Sequence, residues 1–138
     1  MRIVGFNFTK ISAEKLEPSE KIKPKISMGI DISSLEKQKI SAINQDVFKI
    51  EFTFTVKYEK LANFEIKGAV YFTTDHKMEK EIQKKWKDKK IPDEIRVPLF
   101  NFILTKCNLK VLSFEEEFNL PTHIPFPRIE KQQPKSYV

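Results

Sequence analysis

Residues 46–73, DVFKIEFTFTVKYEKLANFEIKGAVYFT, contain the clearest structural pattern in the sequence. On both sides of the short break EKLAN, apolar and polar residues alternate with a period of two, which places the apolar side chains of each strand on one face. A break this short predicts that the two runs pair as an antiparallel hairpin at the core of a half-buried sheet. The apolar face of this hairpin carries Phe48, Ile50, Phe52, Phe54, Val56, Tyr58, Phe64, Ile66, Gly68, Val70 and Phe72.

Two further strands are predicted before the hairpin, over residues 2–11 and 26–33, because apolar residues alternate there as well. We expect a bulge in the first of them, since Ile3 and Phe6 fall on opposite faces of a regular strand. Residues 34–45, SLEKQKISAINQ, lack a clear period. We interpret them as a long crossover or a broken turn of helix, and a partly apolar segment of this kind is often functional.

The sequence changes to a helical period after the hairpin. Over residues 74–90 a narrow apolar stripe of Met78, Ile82 and Trp86 recurs every four residues on an otherwise charged helix. We expect the stripe to lie on the sheet or on another subunit, and we assign its three residues to an oligomer interface. The lysines of this helix also permit a nucleic-acid contact, which we disfavour because the charge is spread around the helix and no arginine is present.

The second predicted helix, residues 98–118, is apolar around most of its circumference. A helix of this kind needs cover from a second layer, a partner chain or a ligand. The acidic run Glu115, Glu116 and Glu117 stands at its C-terminal end, where the helix dipole disfavours negative charge, so we expect fraying there. The next residues, NLPTHIPFPRIE (119–130), combine prolines with large apolar side chains, which predicts an extended wall lying on the protein.

The composition predicts one domain over residues 1–130 and a flexible tail over residues 131–138. One cysteine among 138 residues excludes an internal disulfide and suits a reducing compartment. With no signal-peptide pattern and no apolar run that could span a bilayer, we expect a soluble cytoplasmic protein without membrane insertion. The net charge of +6 comes mostly from lysine, which is weak support for a nucleic-acid partner.

The sequence carries no motif of a catalytic or cofactor site. Three glycines are too few for a phosphate-binding loop or a dinucleotide fingerprint. Cys107 lies on an apolar helical stripe, where a thiol is usually an inert core residue, and His76 and His123 lack the spacing of a metal site. We therefore expect neither an enzyme, a metal nor a cofactor.

The order of these elements resembles the SecB family of protein-export chaperones. The matching segments are residues 48–58, FEIKGAVYF (64–72), the helix around Cys107 and NLPTHIPF (119–126). The resemblance implies an α+β subunit whose four-stranded antiparallel sheet has two helices packed on one side. It also implies a homotetramer, built as a dimer of dimers, that binds unfolded polypeptides in apolar grooves without ATP.

Carried onto this sequence, the resemblance implies a client groove with three contributors: the crossover, the second helix and the wall. The chain departs from the familiar export chaperones in being basic and in ending without an acidic tail. Docking on an export motor is therefore in doubt, and a general holdase or a chaperone for one client such as an antitoxin remains open. The residues implied are Leu35, Ile40 and Ile43, then Leu109 and Leu112, then Leu120, Ile124 and Phe126.

Two other interpretations stay open at this point. One is a purely structural oligomeric domain whose apolar helix is covered completely by subunit contacts, since obligate interfaces have the same composition. The other is a basic nucleic-acid-binding domain that uses residues 77–90. A chaperone differs from both in suppressing the aggregation of a denatured protein without nucleotide.

Overall fold

The computed structural model describes residues 1–16, 24–40, 45–127 and 129. It consists of four strands followed by two helices. The predicted tail, residues 131–138, and Ile43 of the predicted groove lie outside the described residues. The elements in chain order are β1 (Arg2–Lys15), β2 (Ile26–Ile40), β3 (Gln45–Tyr58), β4 (Ala62–Thr73), α1 (His76–Trp86) and α2 (Asp93–Phe118).

The strands form one antiparallel sheet in the order β1-β4-β3-β2, so the predicted hairpin occupies its centre. Every apolar residue of the hairpin face is buried, and Phe48 stacks on Phe72 across the two strands at a centroid distance of 5.4 Å. The hairpin turn is closed by the Leu61 N–H, which donates to the Tyr58 carbonyl at 3.0 Å. The prediction of a half-buried central hairpin is confirmed.

Both helices cover the apolar face of this sheet. A stripe of α2 with a spacing of four residues enters the core through Ile95, Leu99, Ile103, Cys107 and Val111, all of them buried. From α1, Ile82 joins the same core. Each fully buried side chain of this size contributes roughly 1.5 to 3 kcal/mol, so the stripe anchors α2 along its length. The predicted α+β fold with two helices on one side of the sheet is confirmed.

The prediction of a long crossover over residues 34–45 is wrong, because β2 continues to Ile40 and pairs with β3 up to Gln45. A register shift between Ile32 and Ser34 explains the error. A bulge of this kind moves the apolar positions to the other parity, and the period of two then disappears from the sequence. Leu35 consequently pairs with Ile50 and belongs to the core.

Several element ends also differ from the prediction. β1 runs four residues beyond Ile11, to Lys15, and contains register shifts at Ile3/Gly5 and Phe8/Lys10, where a bulge was expected. α2 begins at Asp93, so Pro98 lies inside the helix instead of in its first turn. Among the described residues, no helix combines the length and apolarity that a bilayer crossing requires.

Candidate functional site

The chain reverses direction at the C-terminal end of α2. Asn119 takes the left-handed conformation at φ 56°, and the Leu120 N–H donates to the Glu115 carbonyl at 2.9 Å. This is the Schellman arrangement, which satisfies the last carbonyls of a helix and ends it sharply. Residues 119–127, called the wall segment from here on, therefore run back along the outer surface of α2.

A groove with a volume of about 510 Å³ lies between α2 and the wall segment. Leu109 and Leu112 line it from the helix, and Leu120 and Phe126 line it from the wall segment. Two of these side chains are unusually open for large apolar groups, since Leu109 is 64% exposed and Phe126 is 56% exposed. The polar lining consists of Ser113, Glu116 and Thr122.

A polar network lies beneath the wall segment, and the sequence analysis did not predict it. The Glu115 side chain is completely buried, and the His123 side chain is 1% exposed. His123 Nδ1 lies 3.0 Å from each oxygen of that carboxylate, and the His123 backbone N–H donates to Oε2 at 3.0 Å. The other ring nitrogen, Nε2, lies 2.7 Å from Oδ1 of Asn108. The imidazole is thus held on both sides by α2.

Tyr58 reaches the same network from β3. Its hydroxyl contacts Oε2 of Glu115 and the carbonyl oxygen of Pro121, and because a hydroxyl carries a single hydrogen, the two acceptors share it. Burial, and then the hydrogen bond to Glu115, raise the pKa of the Tyr58 phenol far above its ordinary value. The phenol therefore stays protonated and available as a donor at neutral pH.

A signal for this network was present in the sequence. The buried α2 stripe has a spacing of four residues, and continuing it from Val111 places Glu115 on the buried face. A carboxylate in that position requires partners, because an unpaired buried charge is very unfavourable. The expected fraying at Glu115 is corrected, since its side chain is sealed in the structure and the helix continues to Phe118.

The fold of this chain also occurs in a known protein structure. The chain is similar to the SecB-like chaperone Rv1957 of Mycobacterium tuberculosis, solved in complex with a ChAD peptide from the Rv1956 HigA1 antitoxin. The match covers 94% of this chain and 87% of that chain, with a TM-score of 0.57 and 10% sequence identity. The chain has a SecB-like fold. No protein-family model matches the sequence, and no curated protein matches it.

Within the SecB-like fold, half of the predicted client residues line one groove: Leu109, Leu112, Leu120 and Phe126. Ile124 is partly exposed on the wall segment but does not line the groove. Leu35 was expected to line it and is instead part of the core, 9% exposed, so its placement in an open groove is corrected. Ile40 ends β2, and its side chain, like Ile43, lies outside what the structure describes.

The stripe predicted for an oligomer interface lies on the sheet of its own chain. Ile82 is completely buried there, so its assignment to a subunit interface is corrected. Met78 and Trp86 are partly buried against the same core and keep some exposed surface. The stripe therefore serves first to attach α1 to the sheet, which was the other interpretation of this pattern.

A second groove lies where α1 connects to α2, with a volume of about 820 Å³, and the sequence analysis did not predict it. Its apolar lining includes Ile32, Trp86 and Phe100, and the Lys89 ammonium sits 4.6 Å from the centre of the Trp86 ring. Its charged lining consists of four acidic and four basic residues, so the groove carries no excess of positive charge. The charged lining residues are Glu81, Lys85, Asp88, Lys89, Lys90, Asp93, Glu94 and Arg96.

The side chains considered for catalysis are not brought together. Cys107 is buried in the core, and burial raises the pKa of its thiol to about 12, so the reactive thiolate is scarce at neutral pH. His76 is exposed on α1, with Nδ1 3.4 Å from Glu79, and His123 belongs to the network under the wall segment. No cluster of three metal-ligating side chains occurs in the part of the chain that the structure describes.

Proposed function

We propose that the protein is an ATP-independent chaperone that binds non-native polypeptides in the groove between α2 and the wall segment. The main support for this proposal is the groove itself, because Leu109 and Phe126 lie on facing sides of it and are 64% and 56% exposed. Apolar side chains grouped in one exposed patch mark an interaction site, unlike apolar residues that are exposed singly. The comparison adds support, because the similar structure is a SecB-like chaperone with a bound peptide.

The groove suits an extended chain better than a folded surface. A client side chain placed between Leu109 and Phe126 would lose its contact with water, at a gain of roughly 25 cal/mol per Å² of apolar surface. Ser113 and Thr122 add hydroxyls at the rim that can bond to a client backbone. Folded proteins hide both their apolar side chains and their free backbone groups, so selectivity for non-native chains follows.

The strands at the edges of the sheet support a second mode of contact. β1 and β2 each pair on one side only within the described sheet, so their outer N–H and C=O groups can pair with an added strand. This mode is independent of client sequence, because it uses the backbone alone. Together with the groove it fits a holdase with broad acceptance.

The finer points of the role are part of the same proposal. We infer a homo-oligomer, a dimer of dimers by the resemblance, with Met78 and Trp86 as the available residues of α1. Ile40, Ile43, Ile124 and the four groove residues remain the proposed client contacts. The role includes no catalysis and no cofactor, and the single cysteine fits a reducing, cytoplasmic compartment. The +6 charge differs from that of the familiar export chaperones, which are acidic. This difference favours a general holdase, or a chaperone for one dedicated client, over docking on an export motor.

The test is the aggregation of a chemically denatured client without nucleotide, measured by light scattering. We expect suppression at a several-fold excess of the wild-type protein and at least a fivefold loss of potency in Leu109→Ser and Phe126→Ser, because each removes an exposed apolar side of the groove. Val97→Ser is the matched control, since Val97 is 48% exposed on the same helix but outside the groove. Unchanged aggregation with the wild-type protein rules out the chaperone role.

A change of oligomeric state in the two serine variants would point to the structural alternative. Light scattering coupled to gel filtration would report it in the same samples. If Leu109→Ser and Phe126→Ser dissociate the protein while Val97→Ser does not, the groove is a subunit interface. If the assembly is kept and potency is lost, the groove binds clients.

A further inference from the structure

Among the residues that the structure describes, the wall segment is bonded to the rest of the molecule near one end only. Its base, residues 119–123, is bonded to β3 and α2, and Phe118 directly before it is bonded to β1. The Lys15 ammonium of β1 donates to the Phe118 carbonyl at 2.8 Å, just before the base begins. Tyr58 of β3 contacts the Pro121 carbonyl, and α2 holds the His123 ring and backbone through Glu115 and Asn108.

For the tip of the wall segment, residues 124–127, the described part of the chain shows no comparable attachment. Within the described ranges, its polar contact is the Ile124 carbonyl, which accepts from the Thr122 hydroxyl at 2.7 Å, inside the same segment. Pro125 and Pro127 are exposed, as is Phe126, which lines the groove. The position of the tip over α2 therefore depends on the last anchor before it, which is His123.

We propose that Glu115 and His123 form a clasp that positions the wall segment and so sets the client groove. This inference rests on the proposed function for its consequence and on the geometry for the clasp itself. Glu115 and His123 are positioning residues, since neither lines the groove. Their effect on a client passes through Leu120 and Phe126, the two apolar groove residues that the wall segment carries.

The hydrogen bonds of His123 point in different directions, and together they fix the wall segment on α2. The ring nitrogens of His123 point at two residues of α2 seven positions apart, so the wall segment can neither slide along the helix nor rotate about it. The backbone N–H of His123 bonds to the same carboxylate, which ties the main chain as well as the side chain. Three donor groups thus converge on one buried carboxylate: the His123 ring, the His123 amide and the Tyr58 hydroxyl.

A buried charge of this kind makes the clasp cooperative. When one partner is removed, the other keeps its desolvation penalty without its bond, so single substitutions should release the segment almost completely. Removing both partners should cost little more than removing one, because the interaction is already lost. A wall segment held by apolar contacts alone would instead show additive effects of two substitutions.

The experiment compares Glu115→Gln, His123→Gln, the double variant and Glu117→Gln as the matched control. Glu117 is exposed, two residues from Glu115 on the same helix, and outside the groove. Hydrogen exchange followed residue by residue reports the clasp, with the amide of His123 as the main reporter. Anisotropy of a fluorescent, permanently unfolded peptide reports client affinity, and fluorescence of the apolar dye ANS reports the groove without any client.

We expect exchange at His123 to accelerate at least tenfold in both single variants, with no further acceleration in the double variant, while β3 and β4 keep their protection. Peptide affinity should fall at least fivefold, because a released tip no longer holds Phe126 over α2. ANS fluorescence should decrease in parallel for the same reason. Glu117→Gln should behave as the wild-type protein in all three measurements.

Unchanged exchange at His123 in the single variants overturns the clasp. Faster exchange with unchanged ANS fluorescence and peptide affinity overturns its role in setting the groove. If the wild-type protein binds no peptide, the proposed function fails, while exchange and ANS fluorescence still decide on the clasp. If Glu115→Gln does not fold, Asn108→Ala is tested instead, since it removes only the contact of Nε2 of the His123 ring. Exchange at His123, peptide affinity and ANS fluorescence should then change in the same directions by smaller amounts.

Discussion

At the scale of single residues, a few polar groups under the wall segment connect three parts of the molecule. Glu115 interrupts an apolar stripe of α2 and is satisfied by Tyr58 and His123, which come from β3 and from beyond the helix. Two residues distant in sequence therefore depend on one carboxylate. The network links the sheet, the helix and the wall segment at a single point.

The hydroxyl of Tyr58 predicts a specific response to alkaline pH. Because its pKa is raised in the folded protein, the phenol stays protonated there after it ionises in the unfolded chain near pH 10. Its stabilising contribution is complete below that pH and is lost as the pH rises, at about 1.4 kcal/mol per pH unit. Urea unfolding of the wild-type protein and Tyr58→Phe between about pH 9 and 11 should show the smaller slope for the variant. Equal slopes would contradict the assigned contact.

Gly68 predicts the consequence of a close approach between strands. A Cβ at this position would lie 2.7 Å from the Asn7 carbonyl of β1 and 2.7 Å from the Phe52 ring, so Gly68→Ala should reduce the free energy of unfolding by about 1 to 3 kcal/mol. Gly29→Ala is the control, since its Cβ would meet only the Thr55 hydroxyl at 3.6 Å. Urea denaturation checks both, and an equal loss in the two variants would contradict the packing.

At the scale of elements, the β3–β4 hairpin was predicted correctly from the alternation of apolar residues, whereas the bulge in β2 was missed. The alternation in β3 and β4 predicted their pairing and their buried face correctly, because a period of two continues through both strands. The same criterion failed after Ile32, where one extra residue reverses the parity. The density of apolar residues predicted α2, but its start was missed because Pro98 was taken as the first turn of the helix and not as an interior residue.

The β3–β4 turn gives a prediction at this scale. Lys60 has φ 60° there, a conformation that costs a residue with a Cβ about 1 to 2 kcal/mol. Lys60→Gly should therefore raise the free energy of unfolding by about 0.5 kcal/mol after the greater entropy of unfolded glycine is subtracted. Glu59→Gly in the same turn should lower it, because the φ of Glu59 is not positive. Thermal unfolding compares the two, and stabilisation by both would contradict the assigned turn.

The candidate site was predictable in its apolar part and not in its polar part. The resemblance implied Leu109, Leu112, Leu120 and Phe126 as groove residues, and the structure places these four around one groove. The partners of Glu115 were not predictable, because their meeting depends on the chain reversal at Asn119 and on Tyr58 of a distant strand. Leu35 and Ile82 were misplaced because an apolar residue in a sequence does not show whether its own chain or a partner covers it.

At the scale of the whole molecule, the basic charge is spread and the proposed binding is apolar. The basic residues behind the +6 charge include only three arginines, and the groove at the α1–α2 connection is lined by as many acidic as basic residues. Client capture should therefore change less than about threefold between roughly 50 and 500 mM salt, whereas contacts with phosphates would weaken by orders of magnitude. Titration of the unfolded peptide at the two salt concentrations distinguishes these cases. A steep loss of affinity would favour a polyanion site.

Site-specific photo-crosslinking tests the central claim most directly. A photoreactive residue replaces Leu109 in one sample and Val97 in another, and each is irradiated with the same client in its unfolded and its folded form. We expect a crosslink from position 109 to the unfolded client alone, and none from position 97. Crosslinks from position 109 only to a second copy of this chain, with or without client, would contradict the central claim.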